Sequence, residues 1–217
     1  MRLSLVRYLS PTFFTLFTFS FADAQSKGSI TLGGFVDVTD IYAYASNIDL
    51  MSTGLTVRGN GYVNRYLEIT GGGSFSSGFG EGLEISDQSA WVGIGLASNG
   101  IDRQAGTGSN SHLGLSVEVS VSDADFLGSP LILDEVSVNQ NLYAGTEISI
   151  APGIFISANS SYGIPEFDYS YYELGMGFKV GEKGMISFNG GISSWYGDQT
   201  GSSAYQYIFG TGYTFNF

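Results

Sequence analysis

Seven charged side chains occupy the polar positions of runs in which every second residue is apolar. They are Asp37, Arg58, Glu68, Glu118, Glu147, Glu173 and Lys179. A charge on such a face is costly unless it is paired with an opposite charge or hydrated. One interpretation is a salt-bridged plug, in which Arg58 and Lys179 each pair with carboxylates. The other is a cation-preferring pore, because the five carboxylates outnumber the two basic residues.

A second chemistry to consider is nucleophilic catalysis by Ser111 and His112, the latter being the one histidine of the chain. A serine hydrolase needs its nucleophile, base and orienting acid in contact. Adjacent residues of a strand point to opposite faces, so this pair does not meet. The chain also lacks cysteine and any spacing typical of metal ligands. We therefore predict no enzymatic activity, no cofactor and no metal centre.

The elements that must position these residues are β-strands. Apolar residues alternate with small or polar ones, as in Leu113 to Val121 and Tyr172 to Val180. The alternation and the intervening turn signals predict ten strands. Their expected ranges are 29–42, 50–60, 62–75, 82–98, 111–122, 134–150, 153–163, 169–180, 185–196 and 204–217. Eight strands remain an alternative, with the region 50–62 or 99–122 irregular.

Two architectures fit ten such strands, a soluble β-sandwich and a transmembrane barrel. The polar face consists of Gly, Ser, Asn and Thr rather than of charged surface residues, and aromatic residues gather at strand ends. These are features of a barrel with two interfacial aromatic girdles. We predict an all-β fold, an up-and-down antiparallel transmembrane β-barrel of 8–10 strands, with ten favoured.

The first 24 residues are typical of a secretory signal peptide. Arg2 and Arg7 precede the apolar run 13–21, and Ala22 and Ala24 are the small residues that a signal peptidase reads. The mature chain, residues 25–217, is expected to be a single barrel domain in the cell outer membrane. The net charge of −12 argues against nucleic acid as a partner.

The turns are of two kinds. Residues 151–153 and 181–184 form short turns, whereas 43–49, 76–81, 123–133, 164–168 and 197–203 are longer and acidic. If the chain ends in the periplasm, the acidic loops face outward, where they form either a solvated acidic surface or sites for divalent cations. Two places fit poorly. Residues 99–110 are long for a periplasmic turn, and Leu83 and Ile85 have the opposite parity to Val92, which predicts a bulge or a break.

The last residues, Tyr213, Phe215 and Phe217, resemble the closing-strand signal of bacterial outer-membrane β-barrels, which implies an assembly role. Residues 29–37 and 88–93 resemble phrases of the general porins, whose members are sixteen-stranded trimers. The chain is too short for sixteen strands, and its length instead resembles outer-membrane proteins of the A, X and W type. The likeness to these small barrels implies a monomer whose partners are outer-membrane lipids, lipopolysaccharide, periplasmic chaperones and the barrel-assembly machinery.

Two functions are consistent with these features. One is a porin-like narrow channel for passive passage of small solutes or cations. The alternative is a non-conducting barrel whose acidic loops have a structural or binding role. The width of the lumen decides between them, because about eight strands leave an interior filled by side chains.

Overall fold

A computed structural model describes residues 28–43, 46–64, 66–99, 107–126, 132–164, 168–197 and 202–217. They form ten β-strands. In chain order these are β1 (Gly28–Ala43), β2 (Ser46–Tyr62), β3 (Leu67–Gly80), β4 (Leu83–Asn99), β5 (Ser109–Phe126), β6 (Ile132–Ala151), β7 (Ile154–Ile164), β8 (Tyr169–Val180), β9 (Gly184–Gly197) and β10 (Ser202–Asn216). No helix among the described residues is long and apolar enough to cross a membrane. The predicted signal peptide lies outside the described residues.

The ten strands form one closed antiparallel barrel. Each strand pairs with its neighbours in the chain, and β1 pairs with β10 to complete the ring. A path that starts at Gly28 and steps to the paired residue on each next strand returns to β1 after one turn around the barrel. It arrives at Asp40 rather than at Gly28. This stagger requires the strands to tilt against the barrel axis, as they do in membrane barrels. The predicted up-and-down barrel is confirmed, with the favoured count of ten strands.

The alternation of side chains gives the barrel an apolar exterior. Leu174 is 71% exposed and Phe209 is 65% exposed, although both are large and apolar. Such residues follow the outward positions of every strand, whereas the inward positions carry mainly Gly, Ser, Thr and Asn. A soluble sandwich would bury its large side chains between two sheets. The exterior is therefore suited to lipid, which covers these side chains without a protein core.

The hairpin of β3 and β4 corrects two predicted boundaries. Residues 76–80 continue β3 instead of forming an acidic loop, and the turn is the pair Glu81 and Gly82, both with positive φ. Such two-residue turns match the twist of the strands they join. At the other end of β3, the predicted strand start at residue 62 is wrong. The chain turns between β2 and β3, where the Asn64 side-chain oxygen accepts hydrogen bonds from the Tyr66 and Leu67 amides.

The predicted bulge or break in β4 is also wrong. The pairing of β4 with β3 and β5 runs without a shift from Leu83 to Leu96. Leu83 and Ile85 point inward at the end of the barrel where the walls carry aliphatic residues, and Leu83 is buried there. Among the described strand pairs, the register shifts instead in β6, between Ser149 and Ala151, beside the turn to β7.

Candidate functional site in the barrel lumen

The barrel encloses a cavity of about 1890 Å³ that is lined by residues of all ten strands. We call the end where Gly28 pairs with Phe217 the terminal end, and the opposite end the loop end. The lining includes Lys179 and Asn216 at the terminal end and Ile41 and Ile85 at the loop end. The cavity thus extends along the whole length of the barrel wall.

All seven charged residues singled out in the sequence line this cavity. They are Asp37, Arg58, Glu68, Glu118, Glu147, Glu173 and Lys179. The alternation of each strand places them there, because their neighbours in sequence face outward. Whether they select ions remains a prediction, since position alone does not establish that role.

One ion pair crosses the lumen from wall to wall. The Arg58 guanidinium on β2 lies 4.0 Å from a carboxylate oxygen of Glu173 on β8. The path between these strands along the wall passes through β1, β10 and β9. The Glu173 side chain is 7% exposed, whereas that of Arg58 is 50% exposed. Arg58 therefore extends through the open lumen toward a carboxylate that is set into the far wall.

Glu173 is held in place by donors from three strands. Its carboxylate accepts hydrogen bonds from Asn159 on β7 at 2.9 Å, Tyr171 on β8 at 2.7 Å and Asn189 on β9 at 2.7 Å. Hydrogen bonds to an ionised acceptor are stronger than those between neutral groups. The position of Glu173 is therefore fixed independently of Arg58.

Three further predicted charges lie elsewhere along the lumen. Glu118 accepts a long bond of 3.5 Å from Asn141. Glu147 lies opposite Asn110 in the pairing of β5 and β6. Lys179 lies near the terminal end, opposite Met185. The two basic side chains, Arg58 and Lys179, thus lie at different heights in the lumen, and the carboxylates are spread along its length.

Asp37 and Glu68 are the most buried of the predicted carboxylates, with exposures of 1% and 3%. Asp37 accepts one bond of 3.2 Å from Thr39, and Glu68 accepts one of 3.2 Å from Asn60. The second oxygen of each carboxylate is buried without a hydrogen-bond partner.

Several lining residues were not singled out in the sequence. Asp87 on β4 and Tyr143 on β6 face the cavity, as does Trp91. Tyr143 lies on the same parity as Glu147, so alternation alone could have found it. Asp87 shares the parity of Ile85, and the expected bulge obscured its inward orientation.

Inward aromatic rings lie against glycines of neighbouring strands. The Phe35 ring covers Gly54, and the Tyr171 ring covers Gly191. Tyr143 covers Gly95 and Gly114, where a Cβ atom would come within 2.6 Å of its side chain. The glycines allow these rings to lie along the wall, which leaves the centre of the lumen open.

Substitution of Gly114 by Ala tests this packing. The new Cβ would lie 2.5 Å from the Tyr143 ring and 2.5 Å from the Ile94 carbonyl oxygen. We expect overpacking to lower the stability of the barrel by about 1–3 kcal/mol. The measurement is urea unfolding of the barrel refolded in detergent. The matched control is Gly190→Ala, where the nearest atom is 3.8 Å away and little change is expected. Equal stability of the two variants would contradict this packing.

Of the predicted assembly residues, Tyr213 and Phe215 lie on the exterior of β10, and Phe217 directly follows the strand. All three side chains are exposed, and the Lys183 ammonium lies 5.8 Å from the centre of the Phe215 ring. Phe217 donates its amide to the Gly28 carbonyl at 3.0 Å and accepts the Gly28 amide at 3.2 Å. The last residue therefore completes the seam between β1 and β10.

The structure keeps Ser111 and His112 apart in the way that strand geometry predicts. His112 faces the cavity near Tyr143, with 5.8 Å between ring centres, whereas Ser111 is exposed and bonded to Thr146.

The loop carboxylates are also placed differently from the expectation. Asp49 lies in β2, Asp123 and Asp125 lie in β5, Glu81 is in the tight turn and Asp168 precedes β8. Glu166 and Asp198 lie outside the described residues. Within the described ranges, no three His, Cys, Asp or Glu side chains are grouped to hold a metal ion. Binding of divalent cations by the loops therefore remains a prediction.

Comparison with known proteins addresses the fold. No protein-family model and no curated protein matches the chain. Among solved structures, the translocator domain of the autotransporter NalP from Neisseria meningitidis is 12% identical, with a TM-score of 0.50 over 96% of this chain and 95% of that one. The outer-membrane protease OmpT from Escherichia coli is 9% identical, with a TM-score of 0.47 over 90% and 98%. The attachment invasion locus protein Ail from Yersinia pestis is 13% identical, with a TM-score of 0.42 over 88% and 99%. The chain has the fold of a small outer-membrane β-barrel. At these identities the likeness is one of fold, and function is argued from the lumen.

Proposed function

We propose that the protein is a narrow passive channel of the outer membrane that passes small hydrophilic solutes and prefers cations. The observation that carries the proposal is the 1890 Å³ cavity, whose lining includes residues from both ends of the barrel. A barrel whose interior was packed with side chains would have no such cavity. The outer membrane is the location expected for this fold and for an apolar exterior.

The charge of the lining supports the preference for cations. Within the described lining, the carboxylates outnumber the basic side chains Arg58 and Lys179 by eight to two. The carboxylates are Asp37, Glu68, Asp87, Glu118, Glu147, Asp168, Glu173 and Glu182. Rings and stretches of carboxylates in a narrow lumen raise the local concentration of cations and repel anions.

Recordings from planar bilayers test the channel. The refolded full-length mature barrel is expected to give discrete conductance steps, with a reversal potential in a KCl gradient that reports cation preference. Bilayers that stay silent would reject the channel. That result would favour the second function, a non-conducting barrel that acts through its outer surface, in which the Arg58–Glu173 pair serves as a structural strut.

The selectivity is expected to depend on carboxylates of the lining that lie outside the Arg58–Glu173 pair. The double substitution Glu118→Gln with Glu147→Gln removes two negative charges while it keeps the shape of both side chains. We expect the permeability ratio of K⁺ to Cl⁻ to fall by roughly twofold. Glu84→Gln, an exposed residue outside the lining, is the matched control and should leave the ratio unchanged. An unchanged ratio in the double variant would place the selectivity elsewhere.

A further inference from the structure

A long stretch of β6 at the loop end is paired on one side only. Residues 132–139 pair with β5, whereas β7 pairs with β6 only as far as Gln140, which lies opposite Ile164. No other described strand lies beside this stretch. In extended conformation its residues span roughly 25 Å. The wall therefore has a notch above β7 and β8, with a free edge of β6 along one side.

Val136 and Val138 direct their backbone groups into this notch. The Ser149 amide donates to the Gly108 carbonyl, which continues the register of β5 with β6. Residues at odd positions of β6 therefore bond to β5, and the register is unbroken throughout 132–148. The N–H and C=O groups at even positions, which include Val136 and Val138, face away from β5. A row of such unpaired groups is a template for another strand.

The lumen is open sideways along this edge. A closed wall presents every second residue to its interior, but five successive residues of β6, 137–141, line the cavity. The side chains of Val136 and Val138 are 65% and 66% exposed. Residues 136–139 contain neither proline nor lysine, and their pairing with β5 has no bulge. This part of the edge thus lacks three features that proteins use to block strand addition.

The surroundings of the notch are acidic. Carboxylates occur near the loop ends of several strands, among them Asp40, Asp49, Glu84, Asp123 and Asp168. The described basic residues, Arg58, Lys179 and Lys183, lie nearer the terminal end. Asp168 lies at the base of the notch, with a carboxylate oxygen 2.9 Å from the position of a Cβ on Gly163. A segment that enters the notch therefore meets negative potential, which favours a basic partner.

We propose that the free edge of β6 binds an extended basic peptide, which pairs with it as an added antiparallel strand in line with β7. Main-chain hydrogen bonds supply affinity in this mode of recognition, and alternate side chains supply specificity. Apolar residues of the peptide pack outward beside Val136 and Val138. Basic residues on its other face point to the acidic mouth of the lumen. The peptide thus continues the two-faced pattern of the barrel wall.

A second copy of the chain fits this edge less well. Copies in one membrane have the same orientation, so the tilted β6 of a second copy crosses the edge instead of aligning with it. Its loop end is also acidic and is repelled. The partner is therefore a separate polypeptide, and its binding does not depend on whether the barrel conducts.

Hydrogen exchange at single amides tests the pairing directly. The full-length mature barrel is refolded in an uncharged detergent with ¹⁵N-labelled valine. The probe is an eight-residue peptide in which valine and lysine alternate. We expect it to slow exchange of the Val136 and Val138 amides by at least about tenfold, because these amides gain carbonyl partners. The Val119 and Val121 amides lie in β5, which is paired on both sides, and should be unchanged.

Two control peptides separate strand pairing from attraction by charge. The first carries N-methyl groups on its valines, whose amides face β6 when the lysines face the lumen. The second alternates valine with glutamate and reverses the charge. Both are expected to bind at least about ten times more weakly than the probe, the first because its hydrogen bonds are lost and the second because it is repelled.

A pair of variants tests the edge itself. Val138→Pro removes one amide that faces the notch and leaves the bonds to β5 intact, and proline is tolerated at strand edges. We expect the affinity for the probe to fall by roughly tenfold. Val138→Thr keeps the amide and the shape of the side chain, so it is the matched control and should bind as the wild type does. Heat-modifiable gel migration shows that both variants are folded.

Two results would overturn the proposal. One is equal exchange of the Val136 and Val138 amides with and without the probe at millimolar concentration, which would mean that the edge does not accept a strand. The other is equal affinity of Val138→Pro and Val138→Thr, which would mean that the peptide binds by charge alone. Protected amides together with silent bilayers would reject the channel and keep this interaction, and the reverse pair of results would do the opposite.

Discussion

Deletion of Phe217 is expected to reduce the fraction of barrel that refolds by about tenfold, which corresponds to about 1.4 kcal/mol. The physical reason is the seam between β1 and β10, where Phe217 and Gly28 exchange both backbone hydrogen bonds, at 3.0 and 3.2 Å. Each such bond contributes about 0.5–1.5 kcal/mol net in water, and it is harder to replace at a membrane surface. The measurement is the proportion of compact, heat-modifiable protein after refolding into lipid vesicles.

Two substitutions separate the backbone from the ring. Phe217→Tyr keeps both and is the matched control, which should refold as the wild type does. Phe217→Ala keeps the backbone bonds and loses the ring, whose atoms lie 2.9 Å from the position of a Cβ on Gly28. We expect an intermediate yield for this variant. If the deletion variant refolds as well as Phe217→Tyr does, Phe217 does not act as the closing residue.

The strands and their two faces could be predicted from the sequence because alternation has a direct geometric meaning. A residue such as Leu174 or Phe209 can stay exposed only where lipid covers it, so the apolar parity identifies the exterior. The inward direction of Glu118 and Glu173 follows from the same rule. Strand number was predictable for a related reason, since each reversal of the chain needs its own turn residues.

The rule fails where apolar residues face inward. Leu83 and Ile85 point into the barrel at the loop end, although apolar residues elsewhere in β4 point outward. Their parity therefore predicted a bulge, and the inward position of Asp87 was missed. Composition also misled at residues 76–80. Their Ser and Gly content is typical of loops. A hairpin that extends past the surface of the membrane can nevertheless carry small polar residues on both faces.

Contacts across the lumen could not be predicted at all. The approach of Arg58 to Glu173 depends on the number of strands and on the stagger, by which a path of paired residues that starts at Gly28 returns to β1 at Asp40. Neither is local in sequence, and a shift of one residue in any pair would turn a side chain to the other face. The sequence therefore identifies which charges enter the lumen, while their partners require the closed structure.

The substitution Arg58→Met should produce the largest change in conduction. Arg58 extends from β2 toward Glu173 on β8, with half of its side chain exposed to the lumen. Removal of the guanidinium takes a positive charge out of the path of cations and leaves the Glu173 carboxylate exposed to them. Because Asn159, Tyr171 and Asn189 still hold Glu173, the carboxylate should stay in place. We expect single-channel conductance in KCl to rise roughly twofold, with a higher ratio of K⁺ to Cl⁻ permeability.

Lys179→Met is the matched control for that experiment. It also removes one positive charge from the lining, but at the terminal end and away from Glu173. A general effect of net charge would make the two variants alike, whereas a local effect of the transverse pair would confine the rise in conductance to Arg58→Met. Glu173→Gln separates the two contributions of the pair, because it leaves Arg58 in the lumen without its partner. In that variant cation preference should fall below that of the wild type. If Arg58→Met and the wild type have the same conductance, the Arg58 guanidinium does not lie in the path of the ions.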